Sequence, residues 1–148
     1  MPFKNILVPV DYSEPSRRAL ELAVSLDPAA RITVVHAWDR PSYVSDEIVV
    51  HADGTRRSLS ELIRANAERE MTEFLQRVAL GSSIQLEQRL LSGEPVTVIL
   101  EEAGKHGYDL MVVGTRGRTG VTRLLLGSVT EKLIRLSPIP VLTVPPAH

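Results

Sequence analysis

The residues best suited to chemistry lie in a long, basic, glycine-rich loop that runs from Gly114 to Ser128. The loop contains no acidic residue, and its three arginines are Arg116, Arg118 and Arg123. Connections between a strand and a helix in α/β proteins are usually about 2–6 residues long, so a loop of roughly twice that length indicates a functional segment. Glycine amides, arginines and a helix start together form an anion-binding site, and nucleotide phosphates fit it best.

Two flanking elements must position this loop. Leu110–Val113 is a short apolar run typical of a buried strand, and Ser128–Leu136 has the pattern of a helix. The first strand, Ile6–Val10, is equally apolar, with Pro9 expected at its end because proline cannot donate to the sheet. Continuous apolar runs are typical of central parallel strands, so we expect these two strands side by side.

The order of elements, β-α-β-α-β-α-β-α-β, predicts a single α/β domain over residues 1–148. Right-handed crossovers favour a five-stranded parallel sheet with strand order 3-2-1-4-5 and helices on both faces. Ile84–Leu90 alternates in polarity, which predicts an edge strand. Residues 39–57 are long and polar, and they form either a mobile flap or an ordered excursion beside the second strand.

Several helix starts are marked in the sequence. Ser13 can cap a first helix that has Pro15 in its first turn. Ser58 and Glu61 fit a capping box. A third short helix is predicted over Pro95–Ala103.

The predicted topology places a site where chain direction reverses, between the first and fourth strands. Ligands of open α/β sheets bind at the carboxyl ends of strands at such a switch point. Asp11 follows the first strand and Gly114 follows the fourth, so we expect them to be neighbours. Neither the Walker spacing nor Gly-x-Gly-x-x-Gly is present. We expect Gly114 and Gly117 to adopt unusual dihedral angles and to bring backbone amides close to a ligand.

Composition narrows the classes of protein that remain. A net charge of −1 excludes a chain that binds nucleic acid through its overall charge. The absence of cysteine excludes disulfides and thiol catalysis. No signal peptide is evident and no apolar run approaches about 18 residues, so we expect a cytoplasmic protein without membrane insertion.

The loop residues also carry a family pattern. Val-Pro-Val-Asp occurs at positions 8–11, His36 lies near the end of the second strand, and Ser-Pro-Ile-Pro-Val occupies positions 137–141. The spacing Gly-x2-Gly-x9-Gly-Ser is formed by Gly114, Gly117, Gly127 and Ser128. With these motifs the chain resembles the ATP-binding branch of the universal stress protein family over nearly its whole length.

That resemblance implies a Rossmann-like fold of the adenine nucleotide α-hydrolase type. It implies ATP at the switch point, with Mg²⁺ as the metal of the bound ATP and no catalytic or metal-ligating residue. Two positions depart from the family, because many relatives have histidine at Arg116 and a larger aliphatic residue at Ala37. The implied nucleotide-binding residues are Pro9, Val10, Asp11, Ala37, Val113, Gly114, Arg116, Gly117, Arg118, Gly127, Ser128, Val129 and Thr130.

The resemblance also implies a homodimer. Its last strands, formed by Val141, Leu142, Thr143 and Val144, would pair antiparallel across a two-fold axis. The apolar character of this terminal strand favours a paired edge, although the surrounding prolines could instead protect a free one.

Some of these residues have a second, structural interpretation. Ser128 and Glu131 form a capping-box pattern that would explain Ser128 without a ligand. Asp11 contacts either ribose or metal-bound water, or else it is a turn or cap residue. We expect His36 to be a packed, hydrogen-bonded core histidine.

Three functions follow as hypotheses. The first is a regulatory stress-response protein in which ATP orders the loop and the dimer presents a surface to a protein partner. The second is a slow Mg²⁺-dependent ATP hydrolase or nucleotidyl transferase. Since Asp11 is the only acid that we can place nearby, the sequence predicts at most weak ATPase activity. The third is a nucleotide-free dimeric interaction module.

Overall fold

The computed structural model describes residues 3–38, 48–50, 52–78, 84–115 and 126–146. Along the first half of the chain the elements are β1 (Asn5–Pro9), α1 (Glu14–Leu26), β2 (Arg31–Trp38), β3 (Ile48–Val50), β4 (Arg56–Ser58) and α2 (Leu59–Arg77). They are followed by β5 (Gln85–Ser92), α3 (Pro95–Ala103), β6 (Leu110–Gly114), α4 (Ser128–Leu136) and β7 (Val141–Val144).

The main sheet is parallel and has the order β5-β2-β1-β6-β7. Numbered along the chain without the small hairpin β3–β4, this is the predicted order 3-2-1-4-5. β1 lies at the centre, where Ile6 pairs with Ile32 on one side and with Leu110 on the other. Pro9 ends β1, as predicted. The switch point therefore lies between the carboxyl ends of β1 and β6.

Side chains alternate between the two faces of the sheet and bury a core on each. On one face Val8 packs with Leu20 of α1 and Phe74 of α2. On the other face Leu7 packs with residues of α3 and α4, among them Ile99 and Leu133. Because both faces are covered, β1 is apolar from Ile6 onward and β6 is apolar from Leu110 to Val113. This is the pattern that made both strands recognisable.

All four described helices begin where the sequence predicted, and three of them have a side chain as cap. The Ser13 hydroxyl accepts a hydrogen bond from the Ser16 amide at the start of α1. Ser58 and Glu61 form the complete capping box of α2. In α3 the predicted bounds are confirmed, and the cap is the carboxylate of Glu94.

The alternative interpretation of Ser128 and Glu131 as a capping box at α4 is wrong. The residue at the N-cap is Gly127, and Ser128 is the first residue inside the helix. A shift of one position removes the Ser128 hydroxyl from the geometry in which it could accept from the amide three residues later. Capping therefore does not explain Ser128.

The polar stretch 39–57 contains part of an ordered excursion. β3 and β4 pair antiparallel, with Ile48 opposite Ser58, and form a sheet of their own. Residues 39–47 and 51 lie outside the described part of the chain. In the described residues, every helix is too short or too polar to cross a membrane.

Candidate functional site

A cavity of about 350 Å³ opens at the carboxyl ends of β1 and β6, at the switch point. Three of the predicted nucleotide-binding residues, Arg116, Gly117 and Arg118, lie outside the described residues. The others all line the cavity: Pro9, Val10, Asp11, Ala37, Val113, Gly114, Gly127, Ser128, Val129 and Thr130. The fold thus brings together residues that are more than 100 positions apart, and their binding of a nucleotide stays a prediction.

Five further residues line the same cavity and were not among the predicted contacts. They are Ser16, His36, Pro95, Ile99 and Leu133. Pro95 and Ile99 are four positions apart, so they share one face of α3. Both could have been predicted from the sequence, because a helix that follows a parallel strand begins at the carboxyl end of that strand, where the ligand site of such a sheet lies. The cavity is consequently more apolar than the loop sequence indicated.

Gly114 has a packing role that was not predicted. It lies in β6 and does not adopt a positive φ. A Cβ at this position would lie 2.8 Å from the Cβ of Pro15 and 2.9 Å from its carbonyl carbon. The missing side chain therefore lets the first turn of α1 pack against the end of β6, and the prediction of an unusual dihedral angle at Gly114 is wrong.

The start of α4 is held against the end of β6 by two hydrogen bonds. The Gly127 amide donates to the Thr115 carbonyl at 2.9 Å, and the buried Thr130 hydroxyl donates to the Gly114 carbonyl at 2.8 Å. Gly127 has φ −64° and ψ 153°, a conformation that any residue adopts. Within the described residues, no side chain caps this helix start. The first turn of α4 borders the cavity, and an anion there could accept from amides at the helix start.

Asp11 has the turn-and-cap role that the sequence left open. Its Oδ1 accepts from the Ser13 amide at 3.0 Å and from the Ser16 hydroxyl at 2.7 Å, and it also accepts from the Ser13 hydroxyl. The Asp11 amide donates to Ser16 Oγ at 2.9 Å. The carboxylate on the cavity wall therefore organises the start of α1. The alternative contact with ribose or metal-bound water stays a prediction.

Glu94 closes the start of α3 beside the cavity. Its carboxylate accepts from the amides of Val96 at 3.1 Å and Thr97 at 2.9 Å, and from the Thr97 hydroxyl at 2.8 Å. These bonds, led by the one from the Thr97 amide, lower the pKa of Glu94. At neutral pH the start of α3 thus has its own negative charge.

His36 is packed and hydrogen-bonded, as predicted. Its Nδ1 lies 2.8 Å from the Val10 carbonyl, which can only accept, so Nδ1 carries the proton. The imidazole lies against the ring of Tyr12, with 4.3 Å between centroids, and Tyr12 in turn contacts Phe74. Tyr12 has φ 68°, which turns the chain between Asp11 and α1. His36 therefore fixes the end of β1 against β2.

The peptide groups of Ala37 point toward the cavity. On β2, the Val35 carbonyl accepts from Val10 on the β1 side, whereas the Trp38 carbonyl accepts from Gly93 on the β5 side. Peptide groups of alternate strand residues point to opposite neighbours, so Ala37 directs its N–H and C=O to the β1 side. Pairing between β1 and β2 ends at Val35. The N–H and C=O of Ala37 therefore lie beyond the last residue pair of the two strands.

No metal centre is evident in the part of the chain that the structure describes. Within it, histidine, aspartate and glutamate side chains nowhere form a group of three that could hold an ion.

Comparisons with known proteins place this fold in context. The model of the universal stress protein family matches residues 2–145. A universal stress protein from Thermus aquaticus is 35% identical over 96% of this chain and 98% of its own length. YxiE, a universal stress protein from Bacillus subtilis, is 32% identical over 96% of this chain and 99% of its own length.

Solved structures show the same architecture. The universal stress protein UspA from Lactobacillus plantarum superposes with a TM-score of 0.73 at 28% identity, covering 97% of this chain and 99% of that one. The protein MJ0577 superposes with a TM-score of 0.79 at 25% identity, covering 100% and 99%. A universal stress protein crystallised in complex with cAMP has a TM-score of 0.63 at 24% identity, covering 97% and 98%.

Proposed function

The chain belongs to the universal stress protein family, and we propose that it is an ATP-binding regulatory member of that family. One observation carries the proposal. The cavity at the switch point is bordered by the start of α4, which has no side-chain cap among the described residues. A helix start that borders a cavity and lacks its own cap is suited to the phosphates of a nucleotide.

The two sides of the cavity suggest how the nucleotide lies in it. The α3 side is apolar, with Pro95 and Ile99 available to pack against a base. Ala37 directs one donor and one acceptor to the β1 side of β2, where they would complement adenine N1 and the adenine amino group. The base would therefore lie between Ala37 and α3, with the phosphates directed to α4.

The phosphate contacts would be distributed over several groups. The field of one helix end stabilises a charge by only about 0.3–1 kcal/mol, so useful affinity requires several amides acting together. Ser128, Val129 and Thr130 are the described candidates, and Arg116 and Arg118 are predicted to add charge. Mg²⁺ would be held by the phosphates, since the described cavity offers only Asp11 as an acidic group.

A regulatory role is favoured over hydrolysis. Phosphoryl transfer requires a group that orients the attacking water. Asp11 is the acid that lines the described cavity, and its Oδ1 already accepts three hydrogen bonds from the start of α1. We therefore expect turnover to be weak, and nucleotide binding to act by ordering the loop for a protein partner in the cytoplasm.

A homodimer through β7 completes the proposal. β7 pairs only with β6 in the described residues, which leaves its other side open. Val141 and Leu142 are apolar and only half-buried, so pairing with the same strand of a second copy would cover them.

Thermal unfolding and calorimetry with ATP·Mg²⁺, AMP, cAMP and GTP test the nucleotide site. A ligand at about 100 times its Kd stabilises the folded state by roughly 2.7 kcal/mol. The proposal predicts that ATP raises Tm, that GTP has a much smaller effect, and that ADP release stays close to background. If none of the nucleotides shifts Tm or releases heat, the nucleotide-free interaction module takes its place. If metal-dependent ADP release is fast and is abolished by Asp11→Ala, the hydrolase takes its place.

A further inference from the structure

The start of α4 is connected directly to the open edge strand of the sheet. The Thr115 carbonyl accepts from the amide of Gly127, the N-cap of α4, at 2.9 Å. The Thr115 amide donates to the carbonyl of Val144, the last residue of β7, at 3.0 Å. Thr115 thus connects the proposed phosphate site to the end of β7. Both of its hydrogen bonds use backbone groups and not the side chain.

The outer side of β7 can be assigned from its bonds to β6. Met111 donates to the Pro140 carbonyl and Thr115 to the Val144 carbonyl, so the even positions face β6. The intervening positions, Val141 and Thr143, consequently direct their N–H and C=O groups to the open edge. These are the groups that a second β7 would pair with.

The same end of the chain has the most exposed apolar surface. Of the large apolar side chains that the described residues leave exposed, four of five lie between positions 126 and 136. Ile134 is 42% exposed and Leu136 is 55% exposed. Both belong to α4, the helix whose first turn borders the cavity. An open edge strand and exposed apolar side chains on α4, the helix that precedes it in the chain, fit a second copy of this chain better than they fit solvent.

We propose that nucleotide binding and dimer formation are thermodynamically linked through Thr115, so that an occupied site tightens the β7–β7 dimer. The proposal rests on the nucleotide site and the dimer proposed above and adds the regulation of that site. Phosphates held by the first turn of α4 fix Gly127, and through Thr115 they fix Val144. The end of β7 then pairs with less loss of conformational freedom. Because such coupling is reciprocal, the dimer must bind nucleotide more tightly than the monomer by the same factor.

Sedimentation measures the dimer Kd without nucleotide, with saturating ATP·Mg²⁺ and with GTP·Mg²⁺, while calorimetry measures nucleotide binding on the same samples. We expect ATP to lower the dimer Kd at least about fivefold, within the usual range of coupling. If ATP binds but leaves the dimer Kd unchanged, or if the ATP-bound protein stays monomeric, the linkage is wrong and the nucleotide site stands. If calorimetry detects no ATP binding, the proposed function itself fails and the linkage with it.

Variants of Thr143 identify the route. Thr143→Pro removes an outward amide and no bond to β6, whereas the control Thr143→Val keeps the amide. We expect Thr143→Pro to be a folded monomer that binds ATP at least about fivefold more weakly than Thr143→Val. Thr143→Lys keeps the amide, places like charges on both edges, and replaces the proline variant if circular dichroism shows that variant unfolded. A monomeric variant that binds ATP as tightly as Thr143→Val overturns the linkage.

Discussion

Two helices begin beside the same cavity and differ in how their first backbone amides are hydrogen-bonded. α3 and α4 each follow a parallel strand, and each contributes residues to the cavity wall. The first amides of α3 are satisfied by the carboxylate of Glu94. The N-cap of α4 is Gly127, which has no side chain that could accept from the first amides. The first amides of any helix need acceptors. Those of α3 have one from their own chain, and we propose that those of α4 take theirs from a ligand.

The same difference would orient the proposed nucleotide. Glu94 gives the start of α3 a negative charge that repels phosphate, whereas the amides at a helix start attract it. We therefore expect an adenine nucleotide to lie in the cavity in one direction, with its base toward α3 and its phosphates toward α4. The asymmetry resides in two short segments, residues 94–97 and 127–130, and each can be changed separately.

The largest effect is expected from a change at Gly114, where the end of β6 packs against the start of α1. Gly114→Val would place side-chain atoms into the backbone of Pro15, and overpacking of this kind costs about 1–3 kcal/mol or more. We expect denaturant unfolding to show that loss, with ATP binding lost as α1 and β6 separate. Gly104→Ala is the control, because its new Cβ would meet nothing closer than 3.7 Å. If Gly114→Val kept full stability and lost only ATP binding, the glycine would serve the ligand instead of α1.

A smaller effect is expected from the bond that anchors α4. Thr130→Val removes the buried hydroxyl that donates to the Gly114 carbonyl, which should cost about 1–2 kcal/mol and weaken ATP binding. Tyr108→Phe is the matched control. It also removes a buried hydroxyl, which donates to Glu102 at 2.6 Å, but at the opposite edge of the sheet. Equal losses of ATP affinity in the two variants would show that binding follows overall stability and not the start of α4.

The smallest effect concerns the closed helix start and its pH dependence. Hydrogen bonds to Glu94 lower its pKa from the ordinary value of 4.5, so the stability that it contributes is present above pH 4.5 and is lost as the pH falls through the lowered pKa. Glu94→Gln should reduce Tm at neutral pH and flatten the pH dependence of Tm below about pH 4.5, relative to wild type. ATP affinity at pH 7 should not fall. A variant that binds ATP much more weakly would place Glu94 in the ligand site.

The sequence predicted the frame of the molecule better than the details of the site. The five strands and their order followed from the buried runs Ile6–Val10 and Leu110–Val113 and from the handedness of crossovers. Both kinds of information can be read from the sequence without knowing which distant residues come into contact. The neighbouring positions of Asp11 and Gly114 followed from the same topology, because the carboxyl ends of β1 and β6 must meet. The other predicted cavity residues came from the resemblance to the universal stress protein family.

The errors occurred where a residue's role depends on distant contacts. The packing role of Gly114 was missed, because the atoms that exclude a side chain there belong to Pro15, almost 100 positions away. Ser128 matched a capping box, but one residue of shift moved the cap to Gly127. Pro95 and Ile99 were missed because their apolar side chains resemble ordinary core residues until α3 is placed beside the cavity.

The most direct test of the central claim gives α4 a cap like that of α3. Gly127→Asp is compatible with the backbone at this position and should stabilise the fold by about 0.3–1 kcal/mol. Its carboxylate would occupy the place proposed for a phosphate, so calorimetry should show at least about a tenfold loss of ATP affinity. Gly127→Asn, which caps without charge, should lose less. A Gly127→Asp protein that binds ATP as tightly as wild type would contradict the account, because the start of α4 would then not be the phosphate site.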